Sequence, residues 1–138
     1  MPEKPPVVVH AEWIDQLAFS IRGGSHEIVI DGDSERGLSP VQLLAAALAG
    51  CMATDVALIL TRGRQPLKAL TVTLTALRAD QDPHRVLQVM LHFAVGGDVN
   101  PGHLDRAIAL SREKYCSVWH SMREDITLGT STSIDPTA

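Results

Sequence analysis

One stretch of this 138-residue chain limits its fold more than any other. From Leu43 it reads Leu-Leu-Ala-Ala-Ala-Leu-Ala-Gly-Cys-Met-Ala, and after Thr54-Asp55 it continues Val-Ala-Leu-Ile-Leu to Leu60. The start of a helix is written just before it. Ser39 suits the N-cap, Pro40 suits the first helical position, and Gln42 stands three residues after Ser39, as a capping box requires. The end is expected near Arg62, with Gly63 in the left-handed C-terminal conformation and Pro66 blocking continuation. A helix that is apolar on nearly every side is either a membrane span or the buried centre of a domain. Leu43–Leu60 has the length of a marginal span, but Asp55 lies inside it. A central Asp costs about 2.5–3.5 kcal/mol on insertion scales, and Ala and Gly offset little of that. We therefore expect a buried helix with no membrane partner, whose small residues let other elements approach closely.

The segments around it alternate between strand and helix patterns. Before the helix, Val7-Val8-Val9 leads through Trp13 to Asp15, Leu17–Arg22 follows, and His26–Ile30 closes after a Gly23-Gly24-Ser25 turn. Asp31–Ser39 is polar and reads as a loop. After the helix, Leu70, Val72, Leu74 and Ala76 alternate with Thr71, Thr73 and Thr75, the pattern of a half-buried strand. Val86–Val95 reads as its hairpin partner, with Leu87, Val89, Leu91 and Phe93 in phase. Asn100-Pro101 opens a second helix, either continuous to Glu124 or kinked near Cys116-Ser117. Ile126–Ile134 reads as a last strand. The expectation is an α+β fold in one domain spanning residues 1–138. The central helix is too apolar for one monomer's sheet to cover, which points to a dimer.

Composition removes several function classes. A net charge of −4 gives no general attraction to nucleic acid phosphates, and five aromatics (two Trp, one Tyr, two Phe) are too few for a base-stacking platform. The N-terminal MPEKPPVVVHAEW has no apolar run long enough for a signal peptide, so a cytoplasmic, reducing location is expected. Six His residues form no HxxxH or HExxH pair, and there is no CxxC, GxSxG, GxGxxG or phosphate-loop motif. Neither a metal nor any other cofactor is expected. Cys116 and His120 are four residues apart, on one face if the helix runs through them. There His120 would favour a Cys116 thiolate.

Two cysteines remain, Cys51 in the first helix and Cys116 late in the second. Taken alone, Cys51 in its packed apolar segment reads as a small buried core residue, and the two cysteines read as a redox pair if their helices cross. Asp55, four residues after Cys51, would raise the thiol pKa if it faced it, so a basic partner would have to come from elsewhere, with Arg22 and Arg36 as candidates.

Ser39-Pro-Val-Gln-Leu-Leu-Ala-Ala-Ala-Leu-Ala-Gly-Cys51 resembles the central-helix signature of the OsmC/Ohr family of organic-hydroperoxide-reducing proteins. Ala107-Ile-Ala-Leu-Ser-Arg-Glu-Lys-Tyr-Cys116-Ser-Val resembles the family's second-cysteine segment, especially in its YhfA-like branch. Asp55-Val56 and the strand LTVTLTALRAD fit between them, and the likeness runs from about residue 7 to residue 134. The resemblance implies an intertwined homodimer in which antiparallel sheets wrap two long central helices, with two sites at the interface. It implies that Cys51 is the peroxidatic cysteine and Cys116 the resolving one. Their disulfide would be reduced by an external dithiol, and the apolar surroundings would favour organic hydroperoxides as substrate.

Family members with established peroxidase activity carry Glu directly after the Pro of this helix start, where it works with a loop Arg on the thiolate. Here that position is Val41, as the YhfA-like branch also lacks the Glu. Gln42 is about 100° further round a helix and does not replace it simply. Arg36, in the loop before the helix, is the favoured arginine over Arg22. Two other readings stay open, the first of them favoured by Val41. One is a non-catalytic thiol redox sensor or small-ligand-binding dimer. The other is a protein-interaction dimer whose cysteines are inert.

Overall fold

The computed structural model describes residues 3–138, which form two compact units, one ending at Leu44 and the other running Ala45–Ala138. The first unit is an antiparallel meander of β1 (His10–Asp15), β2 (Ala18–Gly23) and β3 (His26–Asp31). Gly24 supplies the positive φ of the two-residue turn between β2 and β3. The sheet leaves Trp13, Ile14, Ile28 and Val29 exposed.

Helix α1 (Pro40–Arg62) begins in this unit and continues into the second. Its start is the expected reciprocal cap. The Gln42 amide donates to Ser39 Oγ at 3.2 Å, and the Ser39 amide donates to Gln42 Oε1 at 2.9 Å. Its end differs from expectation by one residue. Arg64, not Gly63, takes the left-handed conformation, and the Gln65 amide closes back on the Leu60 carbonyl at 2.9 Å. That closure needs one more residue of helical turn than the position of Gly63 suggests.

In the second unit β4 (Ala69–Arg78) and β5 (Val86–Gly96) form the expected hairpin. The chain then passes through α2 (Pro101–Leu110), a π-helical turn (Ser111–Tyr115) and α3 (Ser117–His120) before β6 (Thr127–Asp135). The antiparallel expectation fails at this edge, because β6 pairs with β5 in parallel. The cause is the connection: a helical crossover returns the chain to the same end of the sheet, whereas a short turn would have reversed it. The second sheet is therefore mixed, in the order β4-β5-β6.

One core unites these elements. α1 contributes a single stripe at four-residue spacing, Leu48, Met52, Val56 and Leu60. β5 contributes Val89, Leu91, Phe93 and Val95 at two-residue spacing, and α2 contributes Leu104, Ala107 and Ile108. Burying a side chain of this size stabilises by about 1.5–3 kcal/mol. The stripe covers one side of α1 only: Leu44 and Leu58 are exposed, and Leu43, Ala49, Ala53 and Ile59 are half-buried. The helix is long and apolar enough to cross a membrane. Its packing into a mixed sheet's core, and its Asp55 hydrogen bond described below, are those of a globular interior instead.

Candidate thiol site

Cys51 and Asp55 lie one turn apart on α1 and are both half-buried. The i, i+4 spacing puts both side chains on the same side of the helix, next to the buried Leu48–Leu60 stripe. Their partner comes from the far end of α2. There the helix widens into the π turn, closed by the Cys116 amide on the Ser111 carbonyl at 2.8 Å. Cys116 then leaves helical geometry, at φ −74° and ψ 100°, and becomes the N-cap of α3. Its sulfur accepts from the Trp119 amide at 3.3 Å. The kinked reading of this helix is the observed one. Single π turns at α-helices are frequent at functional sites.

Ser111 at the start of the turn and Cys116 just after it are both completely buried. Ser111 Oγ donates to Asp55 Oδ2 at 2.8 Å. The sulfurs of Cys51 and Cys116 and an Asp55 carboxylate oxygen all lie within 4.8 Å of one another. Both thiols are free, Cys51 half-buried and Cys116 buried. A disulfide requires sulfurs about 2.05 Å apart, and neither thiol is engaged in one. Burial is the main cause that pushes the Cys116 thiol up to about 11, with neighbouring Cys51 adding to it and the Trp119 and Val118 amides opposing it. His120 has no part in this. Because Cys116 caps α3 instead of continuing one helix into it, the expected shared helical face with the exposed His120 does not exist.

A cleft of about 410 Å³ adjoins the cluster, lined by Asp55, Leu58, Ile59, Arg62, Leu110 and Tyr115. Its walls are mostly apolar, with Asp55 common to the cleft and the thiol cluster and Arg62 the basic group.

Arg36 belongs to the first unit. Its guanidinium pairs with the Asp15 carboxylate and lies 3.7 Å from Asp31 Oδ2. The buried Asp31 carboxylate also accepts from the Asp33 amide at 2.9 Å and the Arg36 amide at 3.2 Å. The Asp33 amide above all, helped by Arg36 against the cost of burial, holds the Asp31 carboxyl below its ordinary value. Arg22, the other candidate, sits exposed, 3.6 Å from Glu12. Both arginines thus have carboxylate partners within the first sheet and its loop.

Sequence reasoning placed Cys51 and Cys116 on separate helices and left open whether they meet; the second unit brings them together. It treated Asp55 only as a possible liability to the thiol and missed Ser111. The four-residue spacing to Cys51 was the available signal for Asp55. Nothing local marks Ser111, whose partner is 56 residues away.

A mixed α+β unit that brings together two free thiols, one on a long central helix and one just after a π turn, defines a class, and the comparisons agree on it. The OsmC-like protein family model matches residues 31–131, and the chain belongs to that family. It is 39% identical over 110 residues to Protein YhfA of Escherichia coli K12, covering 78% of this chain and 82% of that protein. Among solved structures it is similar to a hypothetical protein from Aquifex aeolicus, with a TM-score of 0.89 and 27% identity over 96% of this chain and 98% of that one. An organic hydroperoxide resistance protein OsmC from Legionella pneumophila shares the fold at 16% identity, with a TM-score of 0.71 over 96% and 99% of the two chains.

Proposed function

We propose that this protein is a thiol-dependent peroxidase that reduces organic hydroperoxides with Cys51 and Cys116 as its redox pair. The observation that carries this reading is the meeting of two free thiols of unequal burial within 4.8 Å. The half-buried Cys51 is the one a substrate reaches, and the buried Cys116 resolves. In the first step the Cys51 thiolate attacks the O–O bond of ROOH. Cys51 becomes a sulfenic acid and the alkoxide leaves as ROH after taking a proton. In the second step the Cys116 sulfur displaces the sulfenic oxygen, forming the disulfide and releasing water. An external dithiol then restores both thiols by exchange and is itself oxidised to a disulfide. Sulfur carries both electrons, so no cofactor enters the cycle.

The apolar cleft beside Asp55 supports an organic rather than an inorganic peroxide, since Leu58, Ile59, Leu110 and Tyr115 give an alkyl or aryl group a dry surface. The family resemblance implies a catalytic loop arginine, and Arg36 is proposed for that role because it lies in the loop before α1. The exposed apolar residues of α1 and of the first sheet support a homodimer, with a second copy as their cover. A cytoplasmic location, where dithiol reductants are abundant, fits such a cycle.

Val41 favours a second reading, because it stands where a catalytic Glu is expected. Without that carboxylate the same pair acts as a sensor, oxidised once and not recycled fast enough to clear peroxide. The test is consumption of cumene hydroperoxide with a dithiol present. A peroxidase gives many turnovers, Cys51→Ser abolishes them, and Cys116→Ser stops after the sulfenic acid. Oxidation limited to one equivalent assigns the sensor role, and thiols that resist peroxide altogether refute both readings.

A further inference from the structure

We propose that the reduced pair is also a metal site, in which Cys51, Cys116 and Asp55 bind one soft divalent cation of the zinc or cadmium class, and that the bound ion holds the thiols against oxidation. The inference needs only two reduced thiols and stands independently of the peroxidase reading.

The geometry supplies three donors from two elements. Cys51 and Asp55 come from α1, and Cys116 comes from the π turn, with all three donor atoms within 4.8 Å of one another. Two thiolates about 2.3 Å from a tetrahedral zinc stand about 3.8 Å apart, and a carboxylate oxygen at about 2.0–2.2 Å stands slightly closer to each. The donor atoms, all within 4.8 Å of one another, lie within about an ångström of that spacing or inside it. Ser111 provides the outer support that metal-binding carboxylates usually have. Its hydroxyl donates to Asp55 Oδ2 and so restrains the carboxylate.

The donor set selects the metal. Two sulfurs and one oxygen favour soft or borderline ions, whereas calcium needs six to eight oxygens and magnesium near-octahedral oxygen coordination. The half-buried Cys51 leaves a way in for the ion, and a water completes the fourth position. Binding converts two thiols and M²⁺ to a bis-thiolate complex and releases two protons. With Asp55 ionised, the three ligands and the ion carry a net charge of −1. Disulfide formation needs the same sulfur lone pairs, so the ion and the disulfide exclude each other. Local motif spacing gives no sign of this site, because two ligands come from one helix and the third from a turn more than sixty positions later.

The test is a cadmium titration of the reduced, desalted protein, followed by the ultraviolet thiolate-to-cadmium charge-transfer band. One equivalent per chain is expected to saturate the band. Cys116→Ser removes it, His120→Ala leaves it intact, and Asp55→Asn weakens binding at least about tenfold. The Asn variant keeps the side-chain volume and an acceptor for Ser111, and circular dichroism checks its fold. Cadmium is also expected to slow peroxide-driven loss of free thiols at least about tenfold. A protein whose two thiols titrate after unfolding but which gives no band at one equivalent overturns the proposal, as does Asp55→Asn binding that equals wild type. A band in a protein without peroxide turnover supports the metal site and counts against the peroxidase. Turnover without a band overturns the metal site alone.

Discussion

Raising the pH should weaken the wild-type fold in a window set by Cys116. In the folded chain burial pushes this thiol from its ordinary 9.0 up to about 11. In the unfolded chain it regains the ordinary value. Below about pH 9 the thiol is protonated in both states and its full contribution to stability is present. Between about 9 and 11 the unfolded chain releases the proton while the folded chain keeps it. Stability therefore falls as pH rises through this window. Two pH units of difference correspond to at most about 2.7 kcal/mol, which solvent screening lowers to on the order of 2 kcal/mol. Lysines and tyrosine titrate nearby, so the assay compares urea unfolding of wild type and Cys116→Ala under reducing conditions at pH 8, 9, 10 and 11. The variant starts lower because it opens a small cavity, and the gap between the two should shrink by on the order of 2 kcal/mol across the series. Parallel curves would refute the burial of Cys116 as the cause of its raised proton affinity.

Four further outcomes follow from the packing. Ser111→Ala removes the hydroxyl that holds Asp55 Oδ2 and should cost about 1–2 kcal/mol in urea melts, within the range for a hydrogen bond to a charged group that is partly solvated. Phe93→Ala empties the largest fully buried position and should cost about 3–5 kcal/mol by the same measurement. Gly97→Ala should destabilise strongly, because its φ of +115° is closed to side chains and a Cβ there overlaps the Pro66 carbonyl oxygen. Leu58→Glu places a charge on the apolar side of α1 that the monomer leaves exposed; if a second copy covers it, sedimentation should shift from dimer to monomer without loss of helical signal.

How legible the fold was depended on whether a contact is local. Ser39, Pro40 and Gln42 announce the start of α1 because a cap is satisfied within three residues. The Leu-Thr alternation of β4 reads directly as inside and outside. The parallel placement of β6 was illegible, since a strand's own residues carry no sign of its partner's direction. The π turn was legible only as an alternative. Ser111–Tyr115 keeps helical propensity, and the widening follows from what Ser111 and Cys116 must reach. The arginine at the end of α1 shows the same limit, because Arg64 adopts a conformation that composition assigns to Gly63.

The site divides in the same way. Cys51 and Cys116 were identified through motifs, but whether they meet depends on tertiary contact between α1 and the π turn. The carboxylate expected at position 41 is replaced by Val, while the structure puts Asp55 beside both sulfurs. The chain thus keeps an acidic group at the thiols, but one turn after Cys51 instead of at the start of the helix.

Cys51 and Cys116 are proposed to form one redox couple driven by an organic hydroperoxide. Its most direct measurement is a single-turnover reaction of the reduced protein with one equivalent of cumene hydroperoxide, read by intact and peptide mass spectrometry together with alcohol yield. One equivalent of alcohol and a chain lighter by two hydrogens are expected, with the Cys51 and Cys116 peptides joined by a disulfide. Unchanged thiols after peroxide exposure, or oxidation that never links these two peptides, would contradict it.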